Sequence, residues 1–408
     1  MTKVKGTYDV LPSESANWQN LEAKLRKIFL SFGYQEIRTP IMEYYETIHR
    51  HNEDSDMVKK ETYDFLDHGE RRLTLRPELT AGIIRSYVEN KLYVDNDVTR
   101  VFYMGANFRY ERPQKGRFRQ FSQFGVELIN ASGTLADAEI IILISTILKK
   151  LKIKAQININ SLGDQDSRNH FKTIIKEYFS HYQDHLCGDC LQRLEVNPLR
   201  ILDCKVDNHQ DFFLNCPKPL DFLNAESQAN FVKLQKILDN NQIAYQVNKN
   251  LVRGLDYYDE LVFEIISQVE GTPLAIGGGG RYNNLVSDLG GPATQAIGFA
   301  FGFERVLSCL PPTKNKPLDV YCLFLEEGSL DYPLLNTLRQ AGLQVKSNLL
   351  IAPLSKLLAK AYRDNPRYII VVGSDEKAQG LYSLRNATTK EQIQTNLPNL
   401  IKIIKENK

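Results

Sequence analysis

Arginine and aromatic side chains alternate in residues 109–119, "RYERPQKGRFR", which hold five basic residues and one acidic residue. Arginine presents a planar fork of donors that suits phosphate, and Phe118 and Phe121 offer flat faces on which a base can stack. These residue types favour a loop that binds phosphate or a nucleotide. The alternative from the same residues is a solvated hairpin tip.

A second group of functional side chains lies in "LVRGLDYYDELVFE", residues 251–264, where Arg253, Asp256, Tyr257 and Tyr258 are close in sequence. The apolar spacing predicts a strand. A guanidinium, a carboxylate and two phenols at one place on a sheet either bind a polar ligand or form cross-strand pairs on a half-solvated face.

Cys187 and Cys190 have the Cys-x-x-Cys spacing of a zinc knuckle. A second such pair is missing, because Cys204 and Cys216 are twelve residues apart, and the nearby histidines form no spaced pair. The pattern therefore favours free thiols over structural zinc.

Two glycine-containing segments follow. Four glycines at 277–280 fit neither a P-loop nor a dinucleotide fingerprint, and they predict a tight turn beside a ligand. The segment 297–306, "IGFAFGFERV", predicts a strand of small residues that runs into a helix beginning near Glu304 and Arg305. Taken alone, it is typical of close packing of a strand on a helix.

The overall composition excludes several classes of protein. The net charge of +2 indicates no general affinity for nucleic acid, so any basic surface must be local. Six cysteines in 408 residues do not make a disulfide framework. The sequence has neither the apolar core of a signal peptide at its start nor an uncharged apolar run of membrane-spanning length. We expect a cytoplasmic protein with reduced thiols.

The elements that must position these side chains come in a clear order. The periodicity predicts a helix over 15–33, followed by an edge strand over 34–45 that Pro40 interrupts. A strand, a turn and a helix follow over 71–90, and two strands flank the charged loop over 99–130. A helix over 137–151 and a strand over 156–163 complete this part of the chain. A more polar, mainly helical segment covers 164–249. The linker "PPTKNKP", 311–317, precedes alternating strands and helices to residue 408.

Three of these elements, in order, resemble the motifs of class II aminoacyl-tRNA synthetases: the helix and strand that end at Pro40, "FRYERPQKGRFRQF", and "GFAFGFERV". Two further segments, "LVRGLDYY" and "GGGGRYNNL", are similar to the histidine-specific segments of histidyl-tRNA synthetases, and "TLRPELTA" and "NPLRILDCK" also match that family. The resemblance covers essentially the whole chain.

The resemblance implies an α+β fold. An antiparallel catalytic sheet flanked by helices would occupy 1–163 and 250–311, a helical insertion would occupy 164–249, and an α/β anticodon-binding domain would occupy 317–408. The implied reaction is that of a histidine–tRNA ligase, which activates L-histidine with ATP and Mg²⁺ and transfers it to the 3′ end of tRNA(His). The resemblance also implies a homodimer. The absence of a long apolar run predicts no membrane partner, and the cysteine spacing makes zinc the less favoured alternative.

Residue roles follow from the same resemblance. The catalytic residues would be Arg253 and Arg109. The histidine-binding residues would be Glu78, Thr80, Arg109, Gln123, Glu127, Arg253, Tyr257, Tyr258 and Tyr282, with Glu127 and Tyr258 on the two ring nitrogens. The ATP-binding residues would be Arg109, Glu111, Arg117, Phe121 and Arg305. The acceptor end of tRNA would meet Arg112 and Gln114.

The chain departs from the family pattern at Leu79, where a small residue is usual, and over the loosely matching stretch 374–392. The alternative function is the histidine-sensing regulatory subunit of ATP phosphoribosyltransferase, a non-catalytic paralogue. Such subunits generally lack the anticodon domain and lose arginines of the ATP site. Arg109, Arg253, Arg305 and residues 317–408 therefore favour the enzyme.

Overall fold

The computed structural model describes residues 1–49, 56–94, 98–112, 116–253, 257–269, 271–313 and 317–406. The chain divides into two compact units, Met1–Thr313 and Lys314–Lys408. The boundary falls within the proline-containing linker. The segment that the sequence marks as a helical insertion belongs to the first unit and is not a separate compact body.

The first unit contains the following helices of the described residues: α1 Pro12–Ser31, α2 Tyr45–Ile48, α3 Asp56–Lys60, α4 Thr80–Glu89, α5 Thr134–Leu151, α6 Gln165–Ser180, α7 Gly188–Val196, α8 Asp211–Leu214, α9 Ala225–Asn240, α10 Leu285–Asp288 and α11 Phe303–Ser308. Short 3-10 turns cover Gln183–His185, Pro198–Asp203 and Pro219–Phe222. Helix α1 shows how the sequence sets such an element. Proline stands at its first turn, Leu21, Leu25 and Phe29 bury one face, and Gly33 beyond its end has a φ of +80°.

The strands of the first unit are β1 Gln35–Glu36, β2 Met42–Tyr44, β3 Tyr63–Leu66, β4 Arg72–Leu75, β5 Thr99–Phe108, β6 Gln120–Ile129, β7 Ala155–Ser161, β8 Gln246–Val247, β9 Asp259–Val269, β10 Thr272–Arg281 and β11 Ala296–Gly302. Eight of them form a mixed sheet in the order β1-β5-β6-β11-β10-β9-β7-β8. The six central strands pair antiparallel, while β1 and β8 pair parallel at the edges. Strands β2, β4 and β3 form a small separate sheet.

Each face of the large sheet carries its own core. Helices α1, α5 and α9 pack on one face through residues such as Phe29, Ile144 and Leu238. On the other face, helices α6 to α8 of the insertion pack with α4 and the sheet in a single cluster that joins Phe179 and Leu194 to Tyr258. This part of the insertion therefore lies on the same side of the sheet as the residues predicted to bind histidine, whereas α9 lies on the opposite side.

The second unit is a five-stranded mixed sheet in the order β13-β12-β14-β15-β16. Its strands are β12 Leu318–Phe324, β13 Val345–Ser347, β14 Pro366–Val372, β15 Leu381–Asn386 and β16 Gln392–Asn396. Its helices are α12 Tyr332–Gln340, α13 Leu354–Arg363, α14 Ser374–Gln379 and α15 Leu397–Glu406, with a 3-10 turn at Glu327–Ser329. Two clusters of buried apolar residues cover the two faces of the sheet.

Three sequence expectations about elements are wrong. The glycines at 277–280 do not form a turn but lie inside strand β10. The strand predicted for 251–264 begins only at Asp259, so Arg253 lies in the segment that precedes it. The edge strand predicted for 34–45 is two short strands, β1 and β2, which belong to different sheets. Among the described residues, no helix combines the length and the apolar character needed to cross a membrane.

Candidate active site

A cavity of about 580 Å³ opens on the face of the large sheet that carries α4 and the insertion. Its lining includes every residue that the sequence assigns to catalysis, to histidine or to ATP: Glu78, Thr80, Arg109, Glu111, Arg117, Phe121, Gln123, Glu127, Arg253, Tyr257, Tyr258, Tyr282 and Arg305. These residues span more than 220 positions of sequence and come from strand β6, helices α4 and α11, and the connecting segments. The fold therefore brings together side chains that the sequence shows only as separate motifs.

Glu127 forms the deepest part of this cavity. Its side chain is buried at 1 % exposure on β6. Oε1 accepts hydrogen bonds from Thr80 (2.8 Å) and Tyr103 (3.2 Å), and Oε2 accepts one from Tyr282 (2.5 Å). Burial raises the pKa of Glu127 to about 8, against the opposing effect of these hydrogen bonds. The carboxyl group is thus poised to change its charge near neutral pH.

Tyrosines enclose the same end of the cavity. Burial raises the pKa of Tyr258 to about 12, so that the phenol is a neutral donor at physiological pH. The ring centroid of Tyr257 lies 4.7 Å from that of Tyr258 and 5.8 Å from that of Tyr282. The three rings and Glu127 make a compartment with apolar walls and a few polar groups, the usual form of a small-ligand site.

Glycine in two adjacent strands makes room for the functional side chains. Gly298 on β11 pairs with Glu127 on β6, and a Cβ atom at 298 would collide with the Glu127 carboxylate. Gly278 on β10 lies under the Arg253 guanidinium, and a Cβ atom there would meet that group in the same way. The glycine run is therefore a flat strand that larger side chains lie across.

Glu78 lies two residues before the start of helix α4. Its carboxylate accepts from the backbone N–H groups of Thr80 (2.5 Å) and Ala81 (2.8 Å), which otherwise lack partners at a helix start. Sequence reasoning missed Arg76, whose buried guanidinium donates to the carbonyls of Ala106 and Thr39. It fixes the turn that presents Glu78, and a single arginine before a proline carried no signal of that role.

Arginine side chains surround the opposite end. Arg109 donates to the Pro77 carbonyl (2.9 Å), and its guanidinium carbon lies 5.2 Å from the centroid of Phe121. Arg305 donates to the carbonyls of Gly116 (3.2 Å) and Ala275 (2.7 Å). Burial is the main cause that lowers the pKa of Arg305, followed by nearby arginines. Positive charge is thus concentrated where charged oxygens would be stabilised.

The side chain of Arg253, which belongs to the segment before β9, extends across β10. Its Nη1 atom is 3.2 Å from Glu264 Oε1, while its Nε atom is buried and has no partner among the described residues. A buried donor of this kind costs free energy unless a ligand satisfies it. Nearer the cavity mouth, Glu111 Oε2 is a buried acceptor without a hydrogen-bond donor in the described part of the chain, 3.4 Å from Arg117 Nη1.

The N-terminal segment supports the charged hairpin, which the sequence did not indicate. Tyr8 donates to Glu304 Oε1 (2.7 Å), which also accepts from the Ser122 backbone N–H (2.7 Å). The Tyr8 ring centroid lies 4.7 Å from that of Phe118. Glu304 therefore links the first residues, β6 and α11. Signals for this contact are absent from the local sequence because it joins positions almost 300 residues apart.

Of the two residues assigned to the tRNA acceptor end, Arg112 is exposed at the tip of the hairpin and lies outside the cavity lining. Gln114 lies outside the described residues. The insertion supplies one further wall of the cavity, through Asp189, Asp203 and Lys205. That wall was not expected from the sequence.

The arrangement suits one class of chemistry. A carboxylate–phenol compartment at one end has the groups to recognise a small polar ligand, and arginines at the other end have the charge to neutralise phosphate. In-line attack of a carboxylate on a phosphate requires positioning and charge stabilisation, and little covalent chemistry from the protein.

Comparisons with known proteins agree with this geometry. The family model described as Histidyl-tRNA synthetase matches residues 6–177 and 220–306, and the model described as Anticodon binding domain matches 332–407. The histidine–tRNA ligase of Acholeplasma laidlawii (strain PG-8A) is 45 % identical, with 99 % of each chain covered. That of Bacillus subtilis (strain 168) is 42 % identical, with 99 % of this chain and 98 % of the relative covered.

Solved structures give the same result. The structure of apo Staphylococcus aureus histidyl-tRNA synthetase is 33 % identical, with a TM-score of 0.83, and the match covers 99 % of this chain and all of that one. A structure titled as an ATP phosphoribosyltransferase regulatory subunit/histidyl-tRNA synthetase from Bacillus halodurans C is 22 % identical, with a TM-score of 0.67, and covers 91 % of this chain and 98 % of its own. That likeness concerns the fold alone.

Proposed function

Because this chain belongs to the histidyl-tRNA synthetase family, we propose that it is a histidine–tRNA ligase. It condenses L-histidine with ATP to histidyl-adenylate and pyrophosphate, and then transfers histidine to the 3′ end of tRNA(His). The observation that carries the proposal is the cavity, in which a carboxylate–phenol compartment adjoins a group of arginines.

At the amino-acid end, Glu127 and Tyr258 recognise the two ring nitrogens. A carboxylate has about four acceptor positions, and Thr80, Tyr103 and Tyr282 use three of those on Glu127. The remaining position accepts the ring N–H. Glu78, Thr80 and Gln123 hold the α-ammonium group. Gln123 is oriented for this by Asn107, whose amide donates to its side-chain oxygen at 2.6 Å.

At the nucleotide end, Arg109 and Arg253 neutralise the α-phosphate from two sides while the histidine carboxylate attacks. Phe121 stacks on adenine, Glu111 accepts from its amino group, and Arg305 lies near the γ-phosphate. Two observations support these roles: the buried Arg253 Nε and the buried Glu111 Oε2 each lack a hydrogen-bond partner among the described residues. ATP offers an acceptor to the first and a donor to the second.

The cavity also fits a divalent metal ion that arrives with the nucleotide. Magnesium commonly binds substrate phosphates together with one or two carboxylates. Glu264 lines the cavity beside Arg253 and would supply such a carboxylate. The ion would add positive charge to the phosphates, while Arg253 holds the α-phosphate itself.

The same family assignment implies tRNA(His) as partner, with the second unit reading the anticodon loop and Arg112 near the acceptor end. We further propose a homodimer. On one face of the small sheet, Met42, Tyr44 and Phe65 are 54 %, 55 % and 39 % exposed, and exposed apolar surface of this kind commonly marks an interface. Sedimentation of the full chain tests it, and a monomer at micromolar concentration would refute it.

The deciding experiment is ATP–pyrophosphate exchange with each of the twenty amino acids in turn. We expect exchange with histidine alone. A histidine sensor such as the phosphoribosyltransferase subunit would bind histidine and exchange nothing, so binding without exchange would favour that alternative. Exchange with a different amino acid would overturn the assignment of the compartment.

A further inference from the structure

Three cysteines and one aspartate converge within the insertion, at the end of the large cavity. The Sγ atoms of Cys187, Cys190 and Cys204 and a carboxylate oxygen of Asp207 all lie within 4.8 Å of one another. Cys190, Cys204 and Asp207 are buried, and Cys187 is half-buried. Four donor atoms at such mutual distances can surround a single metal ion.

The sequence contains a signal for this cluster that cysteine spacing alone does not show. Cys187 and Cys190 are separated by two residues, and so are Cys204 and Asp207. The second pair of a two-knuckle site is therefore present, with an aspartate in place of its last cysteine. Residues 178–219, which hold the cluster, lie in the gap between the two stretches that the synthetase family model matches.

The distances suit zinc. A tetrahedral ion with Zn–S bonds of about 2.3 Å holds its sulfur ligands about 3.8 Å apart, and the Sγ atoms of Cys187 and Cys204 are 3.8 Å apart. The remaining ligand atoms lie within 4.8 Å of one another and would move closer together around a bound ion. Zinc accepts sulfur and carboxylate oxygen in one tetrahedral set, whereas magnesium and calcium prefer oxygen ligands only.

The backbone is arranged to support a thiolate at Cys204. The N–H groups of Val206 and Asp207 both point at Cys204 Sγ, each at 3.3 Å. Hydrogen bonds from the surroundings orient metal ligands and stabilise their negative charge. Cys187 directly precedes helix α7, where the helix dipole also favours a thiolate.

Asp207 gives an independent indication of a bound cation. Its exposure is 2 %, and no lysine or arginine of the described residues pairs with it. Its carboxylate accepts from the Cys187 N–H at 3.1 Å and otherwise faces the three sulfurs. Burying a carboxylate is costly unless a positive charge compensates it, and a metal ion among these four ligands would do so.

We propose that Cys187, Cys190, Cys204 and Asp207 bind one structural zinc ion. The ion joins the start of α7 to the turn at 204–207. Asp189, Asp203 and Lys205, which flank these ligands, line the large cavity. The zinc therefore fixes the wall that the insertion contributes to that cavity.

Metal analysis of the full chain tests the proposal directly. The protein is purified under reducing conditions without a chelator or an immobilised-metal column, and its zinc is measured by mass spectrometry. We expect about one zinc per chain, lost in Cys204→Ser and strongly reduced in Asp207→Asn. The matched control is Cys216→Ser, because Cys216 is equally buried in the same insertion but lies outside the cluster. It should keep its zinc.

A second measurement guards against variants that fail to fold. The wild-type protein is stripped of metal under reducing conditions and titrated with Co²⁺. Three thiolate ligands in a tetrahedral site give visible cobalt bands and intense sulfur-to-cobalt charge transfer. We expect these bands, their displacement by Zn²⁺, and a thermal midpoint that rises as metal binds.

Two results would overturn the proposal. One is a metal-free native protein whose three thiols react freely and which shows no cobalt bands. The other is a Cys187–Cys204 disulfide in protein isolated with its thiols trapped, detected by a peptide mass lower by two hydrogens. A disulfide would account for two of the four converging groups and would leave Cys190 and Asp207 unexplained.

Discussion

In the proposed complex with histidine, the carboxyl group of Glu127 determines which ligand the deep end of the cavity accepts. Three hydroxyl groups donate to it, and they leave one acceptor position and a neighbouring phenol, that of Tyr258. A ligand without ring nitrogens would leave both groups buried and unpaired. Where a site is built to hydrogen-bond its substrate, penalties of that kind lower kcat/KM for an analogue without the bonding group by about 10⁴–10⁵.

Proton release on histidine binding tests the charge of Glu127. Its pKa is raised to about 8 in the free protein by burial, so at pH 7 the group is mainly protonated. A neutral imidazole that donates to the carboxylate requires the ionised form, so binding should release a proton below pH 8 and strengthen as the pH rises towards 8. Calorimetry at pH 7 in two buffers of different ionisation enthalpy measures the released proton.

The control for this prediction is Glu127→Gln, which should raise the histidine KM more than the ATP KM and abolish the proton release. A wild-type protein that releases no proton would mean that the proton stays in the complex, either on the imidazole as imidazolium or on a neutral Glu127 that donates to the ring. Equal changes in both KM values in the variant would make Glu127 a structural residue.

Arg253→Lys tests the proposed stabilisation of the α-phosphate. Lysine keeps the charge but loses the planar fork, and the removal of one transition-state contact costs on the order of 10²–10³ in rate. We expect pyrophosphate exchange to fall by that factor while histidine still binds. Arg112→Lys, at an exposed position of the hairpin, should exchange at the normal rate. Near-normal exchange in Arg253→Lys would remove this residue from the catalytic assignment.

At the scale of elements, β10 and β11 form a floor whose glycines can be tested separately. In Gly298→Ala the new methyl group displaces Glu127, and in Gly278→Ala it displaces Arg253. Overpacking of this kind costs about 1–3 kcal/mol. We expect the first change to raise the histidine KM about ten-fold and the second to lower the exchange rate at saturating substrates. Gly69→Ala, in an exposed turn, should change neither, and the reverse pattern would contradict the assignment of the two compartments.

The same elements show how far the sequence reaches. Periodicity located α1, β7 and the paired strands around the charged loop, because apolar residues recur at a regular local spacing in each. It failed at 277–280, since a glycine-only strand has no side-chain pattern and a turn is its usual interpretation. Resemblance supplied the residues that line the cavity, but the supporting contacts of Arg76 and Glu304 depend on pairings between distant segments. Likewise, the sequence did not predict the cysteine cluster, because only the fold brings Asp207 next to Cys187.

At the scale of the whole molecule, we expect the first unit to activate the amino acid and the second to read the tRNA. Every residue assigned to the adenylate lies before it, from Glu78 to Arg305, and the compact first unit ends at Thr313. The Thr313 backbone N–H donates to Asn17 Oδ1 (2.6 Å), and Asn20 Nδ2 donates to Thr313 Oγ1 (3.2 Å). These hydrogen bonds hold the end of the first unit against helix α1. A truncation should therefore keep Thr313.

We expect residues 1–313 alone to form histidyl-adenylate at nearly the full rate but to charge tRNA poorly. Single-stranded loops are where RNA sequence is readable, because their bases can be splayed and hydrogen-bonded. Loss of the second unit, whose residues 332–407 match an anticodon-binding domain, should thus raise the tRNA KM and spare exchange. Sedimentation must accompany the assay, so that a loss of exchange through dissociation of the proposed dimer is recognised. A soluble, dimeric fragment that charges tRNA as well as the full chain does would exclude anticodon recognition by the second unit.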